Sequence, residues 1–567
     1  MSINLGGFNV YLDKYEIWKN YSQLDETLKA ELACLSTSEI KESFYKDLEF
    51  GTGGLRAILG VGTNKLNIYT VRKSTEGYAN WIKKQNKSAK KRGVVIAYDN
   101  RHMSERFAFE TASVLAKHHI NSYLFTSLRP TPELSFAVRF LNAFGGVMIT
   151  ASHNPKEYNG YKIYDEFGCQ CVLRYTNEII KEIRKIRNPL TVEIADSNEF
   201  EKYVKYVDYE IDKAYYNEVL KIQLHPELEK DNLSIVFSPQ HGTANIPVRT
   251  VLKRAGYNVI PVDCQCNPDP DFTYTKNPNP ENILSFEVGI EVALKCNADC
   301  IICTDPDCDR LGVMVKHNGQ YMSLTGNQIG AILLEYIICE KKKNHTLPDN
   351  AVVFNTIVTS SLGDLICEKY DVSVEKTLTG FKFIGDRIHD IKLSKEKSFL
   401  FAYEESYGYL IDDCVRDKDG VQSCLFIAEV INFYKLQGKT LINVLEEIYD
   451  EYGRFFDKQK SINFSGINGK AEIDRIMEFF KSSKLNNIGN YKIVLREDYN
   501  KKIGYSDNNE YTINLPKSNV IKLYFEDGSW MAVRPSGTEP KIKFYYYQRD
   551  ETLSNEVDKI LGKIANY

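Results

Sequence analysis

No stretch of this chain stays apolar for long enough to cross a bilayer. Its opening, Met1 to Tyr11, has neither a basic segment nor a signal-like apolar core, so secretion is not expected. Charge of one sign is also scarce: the net charge is -4 over 567 residues, too mild to recruit nucleic acid or an acidic membrane as a whole. The Gly-x-x-x-x-Gly-Lys-[Ser/Thr] loop and a clean Gly-x-Gly-x-x-Gly are missing, which disfavours a kinase with its own nucleotide site. The Gly-x-Ser-x-Gly elbow of serine hydrolases is missing too. The 13 cysteines are odd in number and scattered, as expected of free thiols in a reducing cytosol. Cys296, Cys300, Cys303 and Cys308 invite a zinc reading, but Cys300-Ile301-Ile302-Cys303 is strand-like, and strand residues alternate faces. We read these four as buried structural cysteines.

What is present is a long globular chain, 43% apolar and 26% charged, too long for a single core. Strand and helix signals alternate. Gly93 to Tyr98 reads as a strand, followed by the turn Asp99-Asn100-Arg101 and a helix from about Ser104 to His118. Leu233 to Phe237 and Ala351 to Asn355 repeat the arrangement, with turns at 238–243 and 356–361. The pattern predicts an α/β fold with mixed, mainly parallel sheets in three related domains, 1–210, 211–322 and 323–455. The polar segment Asn267 to Asn282 reads as a long surface loop in the second. Residues 456–567 predict a smaller α+β domain, with helices near Ala471 to Lys481 and from Leu553.

Four short loops carry the chemistry. Thr150-Ala151-Ser152-His153-Asn154-Pro155 follows the apolar run Val147-Met148-Ile149. Serine is a poor nucleophile without a base or a metal, but with Asn154 nearby and Lys162 beyond it Ser152 suits a residue that carries phosphate. The same residues also suit an exposed turn. Asp305-Pro306-Asp307-Cys308-Asp309-Arg310 follows another apolar run, and alternate residues of an extended segment point the same way. Three converging carboxylates call for a hard cation: Mg²⁺, Mn²⁺ or Ca²⁺. An EF-hand would need glycine and glutamate where Arg310 and Lys316 stand. Glu404-Glu405-Ser406-Tyr407-Gly408 pairs acceptors with a hydroxyl, suited to vicinal sugar hydroxyls. Thr379-Gly380-Phe381-Lys382 and the Lys418-bearing segment 416–420 supply further small loops with cations. Arg534-Pro535-Ser536-Gly537-Thr538 combines a guanidinium, two hydroxyls and backbone amides in a compact anion trap.

These motifs, in this order, resemble the α-D-phosphohexomutase superfamily of phosphoglucomutases, phosphomannomutases and relatives, from the Phe50-Gly51-Thr52-Gly53-Gly54-Leu55-Arg56 segment to Lys543. The resemblance implies four domains with one active-site loop each. It implies that Ser152 carries the phosphoryl group and that Asp305, Asp307 and Asp309, with the Ser152 phosphate, hold one Mg²⁺ per site. Lys162 matches the lysine proposed as general acid/base, and Arg56 an arginine near the reacting group; His153 and Arg310 complete the expected catalytic set. Thr379, Gly380, Glu404, Ser406 and Lys418 would bind the sugar. Arg534, Ser536, Gly537 and Thr538 would hold the non-reacting phosphate. Pro306 replaces a glycine more usual in the metal loop, and Gly408 stands where phosphomannomutase-type members carry histidine. Both features resemble the branch of bacterial phosphoglucomutases and phosphopentomutase-like enzymes.

The implied activity is Mg²⁺-dependent interconversion of glucose 1-phosphate and glucose 6-phosphate through a phosphoserine enzyme and glucose 1,6-bisphosphate. Phosphopentomutase and phosphomannomutase are the alternatives within the superfamily, and a non-catalytic sugar-phosphate sensor the alternative outside it. The expected partners are small sugar phosphates, with no nucleic acid and no membrane, in a cytoplasmic monomer or homodimer.

Overall fold

The computed structural model describes residues 6–51, 53–464, 469–506, 509–536 and 541–564. The chain divides into two compact units. One comprises Met1–Ser323, Ile384–Phe399 and Gly408–Phe433, the other Leu324–Phe383, Leu400–Tyr407 and Tyr434–Tyr567.

The first unit is built on two mixed sheets. One runs in the order Leu55–Ile58, Tyr158–Tyr164, Gly145–Ile149, Val94–Tyr98, Ser122–Phe125, Val204–Val207. The last four are mutually parallel, and the first two are antiparallel additions at one edge. Val94–Tyr98 and Gly145–Ile149 are buried along their whole length, as continuous apolar runs are when helices cover both faces of a parallel sheet. The second sheet runs Gln320–Ser323, Leu311–His317, Cys300–Thr304, Ser234–Ser238, Asn258–Pro261, antiparallel in its first two pairings and parallel in the others. The N-terminal helices, Gly6–Lys19, Glu26–Cys34 and Thr37–Phe44, join the first core, where the buried ring of Trp18 meets Phe44 and Tyr69 edge-on.

The predicted surface loop at 267–282 is more than a surface loop. Phe272 is buried, the His241 ring stands 2.9 Å from the Asn267 carbonyl, and Gln265 donates to the Tyr274 carbonyl at 2.7 Å. Its polar composition reflects these hydrogen bonds as much as contact with water. Of the four cysteines predicted to be buried, Cys300, Cys303 and Cys308 are, whereas Cys296 is exposed at the end of the helix Glu287–Cys296. A helix end is a poorer place to hide a side chain than a central strand.

In the second unit Ala351–Thr356 pairs in parallel with Ser373–Thr377, and the strand that ends at Glu404 lies on its other side. Helix Gly326–Lys343 opens with a capping box from Thr325. The C-terminal part is an antiparallel sheet in the order Phe456–Asn463, Lys541–Gln548, Trp530–Pro535, Ile521–Phe525, Tyr491–Asp498, Ile503–Ser506, Glu510–Thr512. Helices Gly469–Lys481 and Thr552–Ile564 bury their apolar faces with it. Among the described residues no helix is long and apolar enough to cross a membrane.

Candidate active site

The serine and aspartate loops singled out in the sequence begin where a strand stops. Strand Gly145–Ile149 delivers Ser152, and strand Cys300–Thr304 delivers Asp305, both in the first unit. At these ends buried backbone meets irregular loop, the usual place for function in an α/β sheet.

Ser152 is 3% exposed and has φ 52°, in the left-handed region that residues with a side chain rarely enter. Its Oγ donates to Asp305 Oδ2 at 2.7 Å and stands 3.1 Å from His153 Nδ1. Lys162 lies on the neighbouring strand Tyr158–Tyr164, and its Nζ reaches Asp307 Oδ2 at 2.9 Å and Asp309 Oδ2 at 3.8 Å. Arg56 arrives on the next strand over, where it pairs with Gly160 and donates to Asn154 Oδ1 at 3.1 Å. The main chain of Arg310 donates to Asp305 Oδ1 at 3.0 Å, while its guanidinium pairs with Glu281.

Asp305, Asp307 and Asp309 each offer an oxygen within 4.8 Å of the others, and all three are buried. They converge by a turn and not by the strand alternation expected from sequence. The Asp305 carbonyl accepts the Cys308 amide at 3.0 Å, and Cys308 adopts φ 55°. The turn is wedged from two sides by close backbone. A side chain at Gly242 would approach the Pro306 backbone to 2.4 Å, and one at Gly420 the Cys308 carbonyl to 2.6 Å. Neither position has room for a Cβ.

Lys418 brings a second ammonium, 3.0 Å from Asp309 Oδ2 and 3.2 Å from Asp417 Oδ1. Burial, and then the charges of Asp307 and Asp309, push the Asp305 carboxyl well above the usual carboxylate range. Burial acts on Asp307 in the same direction, but the Lys162 ammonium beside it holds it below that range. Asp307 Oδ1 and Asp309 Oδ1 are buried and accept no hydrogen bond among the described residues. The cluster therefore keeps carboxylate oxygens whose acceptor positions suit a hard cation.

Sequence reasoning missed the residues that hold the aspartates. Thr131 donates its amide to the Asp307 carbonyl at 2.9 Å and its hydroxyl to Asp307 Oδ2 at 3.0 Å. The Thr243 amide and hydroxyl both reach the Pro306 carbonyl, at 2.8 and 2.9 Å. The available signals were slight: a Thr-Pro helix start after a strand, and the turn at 238–243.

In the second unit Glu404 closes its strand, 4% exposed, and accepts the Gly380 amide at 2.8 Å. Gly380 has φ 114°, and the adjacent Thr379 hydroxyl is buried with no hydrogen bond among the described residues. Glu405 turns inward to the hydroxyls of Thr356 and Thr359, at 3.1 and 3.3 Å, which leaves Ser406 partly exposed beside it. Arg534 lies near the end of the strand Trp530–Pro535, opposite Lys543, and the Ser536 amide donates to the Lys541 carbonyl at 2.7 Å. Gly537 and Thr538 lie outside the described residues.

The models of the phosphoglucomutase/phosphomannomutase family match this chain in order: α/β/α domain I at 47–190, domain II at 213–319, domain III at 325–452 and the C-terminal domain at 490–561. A phosphoglucomutase from Staphylococcus aureus (strain MSSA476) is 38% identical over 558 residues, 98% of each chain. Among solved structures, parafusin, a phosphoglucomutase from Paramecium in its open form, superposes with a TM-score of 0.65 at 19% identity, over 92% of this chain and 95% of its own. An Aspergillus fumigatus N-acetylphosphoglucosamine mutase in complex with GlcNAc-6P and magnesium shares the fold at a TM-score of 0.51 and 14% identity, over 92% and 95%. With its sheets, its loop order and nearly its whole length matched, the chain belongs to the phosphoglucomutase/phosphomannomutase family, the α-D-phosphohexomutases.

Proposed function

We propose that this protein is a phosphoglucomutase, an isomerase that interconverts glucose 1-phosphate and glucose 6-phosphate with Ser152 as phosphoryl carrier and glucose 1,6-bisphosphate as intermediate. The observation that carries the reading is the placement of the Ser152 hydroxyl 2.7 Å from Asp305, inside a buried cluster that also holds Asp307, Asp309 and the Lys162 ammonium. The glucose preference draws on the 38% identity to the staphylococcal phosphoglucomutase.

In this reading phosphorylated Ser152 gives its phosphoryl group to the free hydroxyl of the sugar monophosphate, and the other phosphate of the resulting bisphosphate returns to Ser152. Phosphoryl transfer has a loose transition state, so positioning and charge neutralisation do most of the work. Lys162 handles the proton of the reacting hydroxyl, Arg56 meets the transferring group, and His153 and Arg310 line the same loops. Asp305, Asp307 and Asp309, together with the Ser152 phosphate, would hold Mg²⁺, which fits an all-oxygen donor set with acceptor positions to spare. When bound, Mg²⁺ supplies positive charge against the phosphoryl oxygens.

Glu404, Ser406, Thr379 and Gly380 bind the sugar hydroxyls, with Lys418 as a further cation. Arg534 and Ser536, with Gly537 and Thr538, grip the phosphate that is not reacting. One reacting centre must meet both ends of the sugar, so that grip has to accept either phosphate. The domain divisions after 210, 322 and 455 and a cytoplasmic location go with this reading.

The test is a coupled assay across glucose 1-, mannose 1- and ribose 1-phosphate, with phosphopeptide mass spectrometry on the Ser152 peptide. Glucose 1-phosphate should lead in kcat/KM, and Ser152 should carry phosphate. A tenfold preference for mannose or ribose phosphate, about 1.4 kcal/mol, would move the assignment to another branch of the family.

A further inference from the structure

The carbonyl of Ser152, a residue in the left-handed conformation, is bound by a residue that sequence reading treated only as part of a turn. A non-glycine residue at φ 52° is strained, and such strain persists only where the surroundings over-determine it. The Ser152 amide donates to Thr150 Oγ1 at 2.8 Å, and the carbonyl oxygens of the loop converge on Arg101. Nη2 of Arg101 donates to the carbonyls of Ser152 and Asn154, each at 2.5 Å. Its Nη1 donates to the carbonyls of Pro155 and Tyr158, at 2.8 and 3.0 Å. Its Nε faces Asp99 Oδ2 at 3.2 Å, and both side chains are fully buried. The guanidinium lies beneath the Phe272 ring, 5.2 Å from its centre, and Phe272 belongs to the 267–282 segment.

We propose that Arg101 is a positioning residue for the transfer step, a planar clamp that gathers the four carbonyls of the 152–158 loop and so aims the Ser152 hydroxyl at Asp305. The proposal rests on the reading of Ser152 as phosphoryl carrier. The chemistry selects arginine. A guanidinium presents five donors in a fixed fork, whereas an ammonium has three on a flexible stem and cannot serve four carbonyls and a carboxylate together. Asp99 keeps the buried cation neutralised and is itself fixed by the Ser104 hydroxyl at 2.7 Å and by the Arg101 amide at 3.0 Å. A shift of the loop would also move Asn154, and with it the partner of Arg56.

The test compares Arg101→Lys with the paired variant Asp99→Asn/Arg101→Met, which removes cation and counter-ion together and so avoids stranding a buried carboxylate. Two readouts are taken on the full-length protein: steady-state kinetics, and hydrogen–deuterium exchange of peptides covering 150–160 and 300–312. In both variants the 150–160 peptide should lose protection while 300–312 keeps it. A misplacement on the order of 1 Å should lower kcat about a hundredfold with KM little changed. Unchanged protection of 150–160 overturns the clamp. Lost protection with wild-type kcat overturns its role in positioning, because the reaction would then not depend on the loop geometry. If the wild type proved to have no mutase activity and no phosphate on Ser152, the functional reading would fail by itself, and the exchange comparison would still decide whether Arg101 holds the loop.

Discussion

The methylene stem of Lys418 packs directly on Gly408, where an added Cβ would come within 2.1 Å of Lys418 Cδ. The ammonium at the end of that stem stands 3.0 Å from Asp309. A glycine with no unusual backbone requirement is thus needed to let a lysine lie flat on its way to the carboxylate cluster. Gly408→Ala should displace Lys418 and mimic Lys418→Met in part, with kcat/KM down about tenfold or more, 1.4 kcal/mol or so. The overpacking itself should cost about 1–3 kcal/mol of stability. Steady-state kinetics beside a denaturant titration would check this. Normal kinetics in Gly408→Ala with a destabilised fold would show that the lysine can take another path.

Ser152 offers a test that separates activity from stability. Ser152→Ala and Ser152→Gly should both abolish turnover, because the phosphoryl carrier is gone. The left-handed backbone costs a residue with a Cβ about 1–2 kcal/mol more than glycine. Ser152→Gly should therefore unfold at higher denaturant concentration than Ser152→Ala. Equal midpoints would mean that the surrounding contacts leave no strain at this position.

For the carboxylate cluster, we expect chelation with EDTA to remove activity and Mg²⁺ to restore it. Asp307→Asn should weaken Mg²⁺ binding measured directly by calorimetry, since a ligand and a charge are lost together. The variant also removes the nearer negative charge facing Lys162, 2.9 Å away. Its activity should therefore stay low even at saturating Mg²⁺. Full activity in exhaustively chelated protein would contradict the assignment.

A pH effect on stability is expected away from the reacting residues. Asp165 is buried, and desolvation raises its carboxyl to about 7, against which the amides of Cys169 and Phe167 act only in part. The nearby charges are Asp386 and Arg174, themselves paired at 2.5 Å. A carboxyl with a folded pKa above its unfolded value binds its proton more tightly in the native state. Its contribution to stability is complete below about 4 and is lost as pH rises through about 7. Asp165→Asn keeps an acceptor for the two amides and removes the titration. The melting temperature of the variant should fall less than that of the parent between pH 4 and 7. Parallel curves would show that Asp165 ionises as freely in the native state as in the unfolded one.

The parts of the site that were legible in the sequence are those whose chemistry is local. Ser152, Asp305 to Arg310 and Glu404 announce themselves because an apolar run stops and a cluster of functional groups begins, which marks a strand end whatever the rest of the fold does. The alternation of strands and helices gave the α/β class for the same reason. The convergence of Asp305, Asp307 and Asp309 was expected, but its geometry was not. The turn depends on Cys308 at φ 55° and on the glycines at 242 and 420, which are distant in sequence and meet it only in the folded chain. Thr131, Thr243 and Arg101 were illegible as site residues for a related reason. Each binds a backbone carbonyl of another segment, Thr131 through its amide, and a carbonyl acceptor leaves no trace in residue identity.

Segment 267–282 also bears on how the chain tolerates changes of length. Lengthening an exposed loop is ordinarily cheap, since the closing entropy grows only with the logarithm of its length. By composition this segment would be the first choice for a tag, a deletion or a new terminus. Yet its Asp269 carbonyl accepts Asn100, its Asp271 pairs with Lys156, its Phe272 covers Arg101, and its Glu281 holds Arg310. The spacing of these residues matches fixed points on three different loops, those of Asn100 and Arg101, of Lys156 and of Arg310, so one added residue would throw one end or the other out of reach. The stretch that looks freest to vary in length is among the least able to do so, and insertions belong instead at tips such as Asn318-Gly319, where an added Cβ at Gly319 meets nothing within 4 Å.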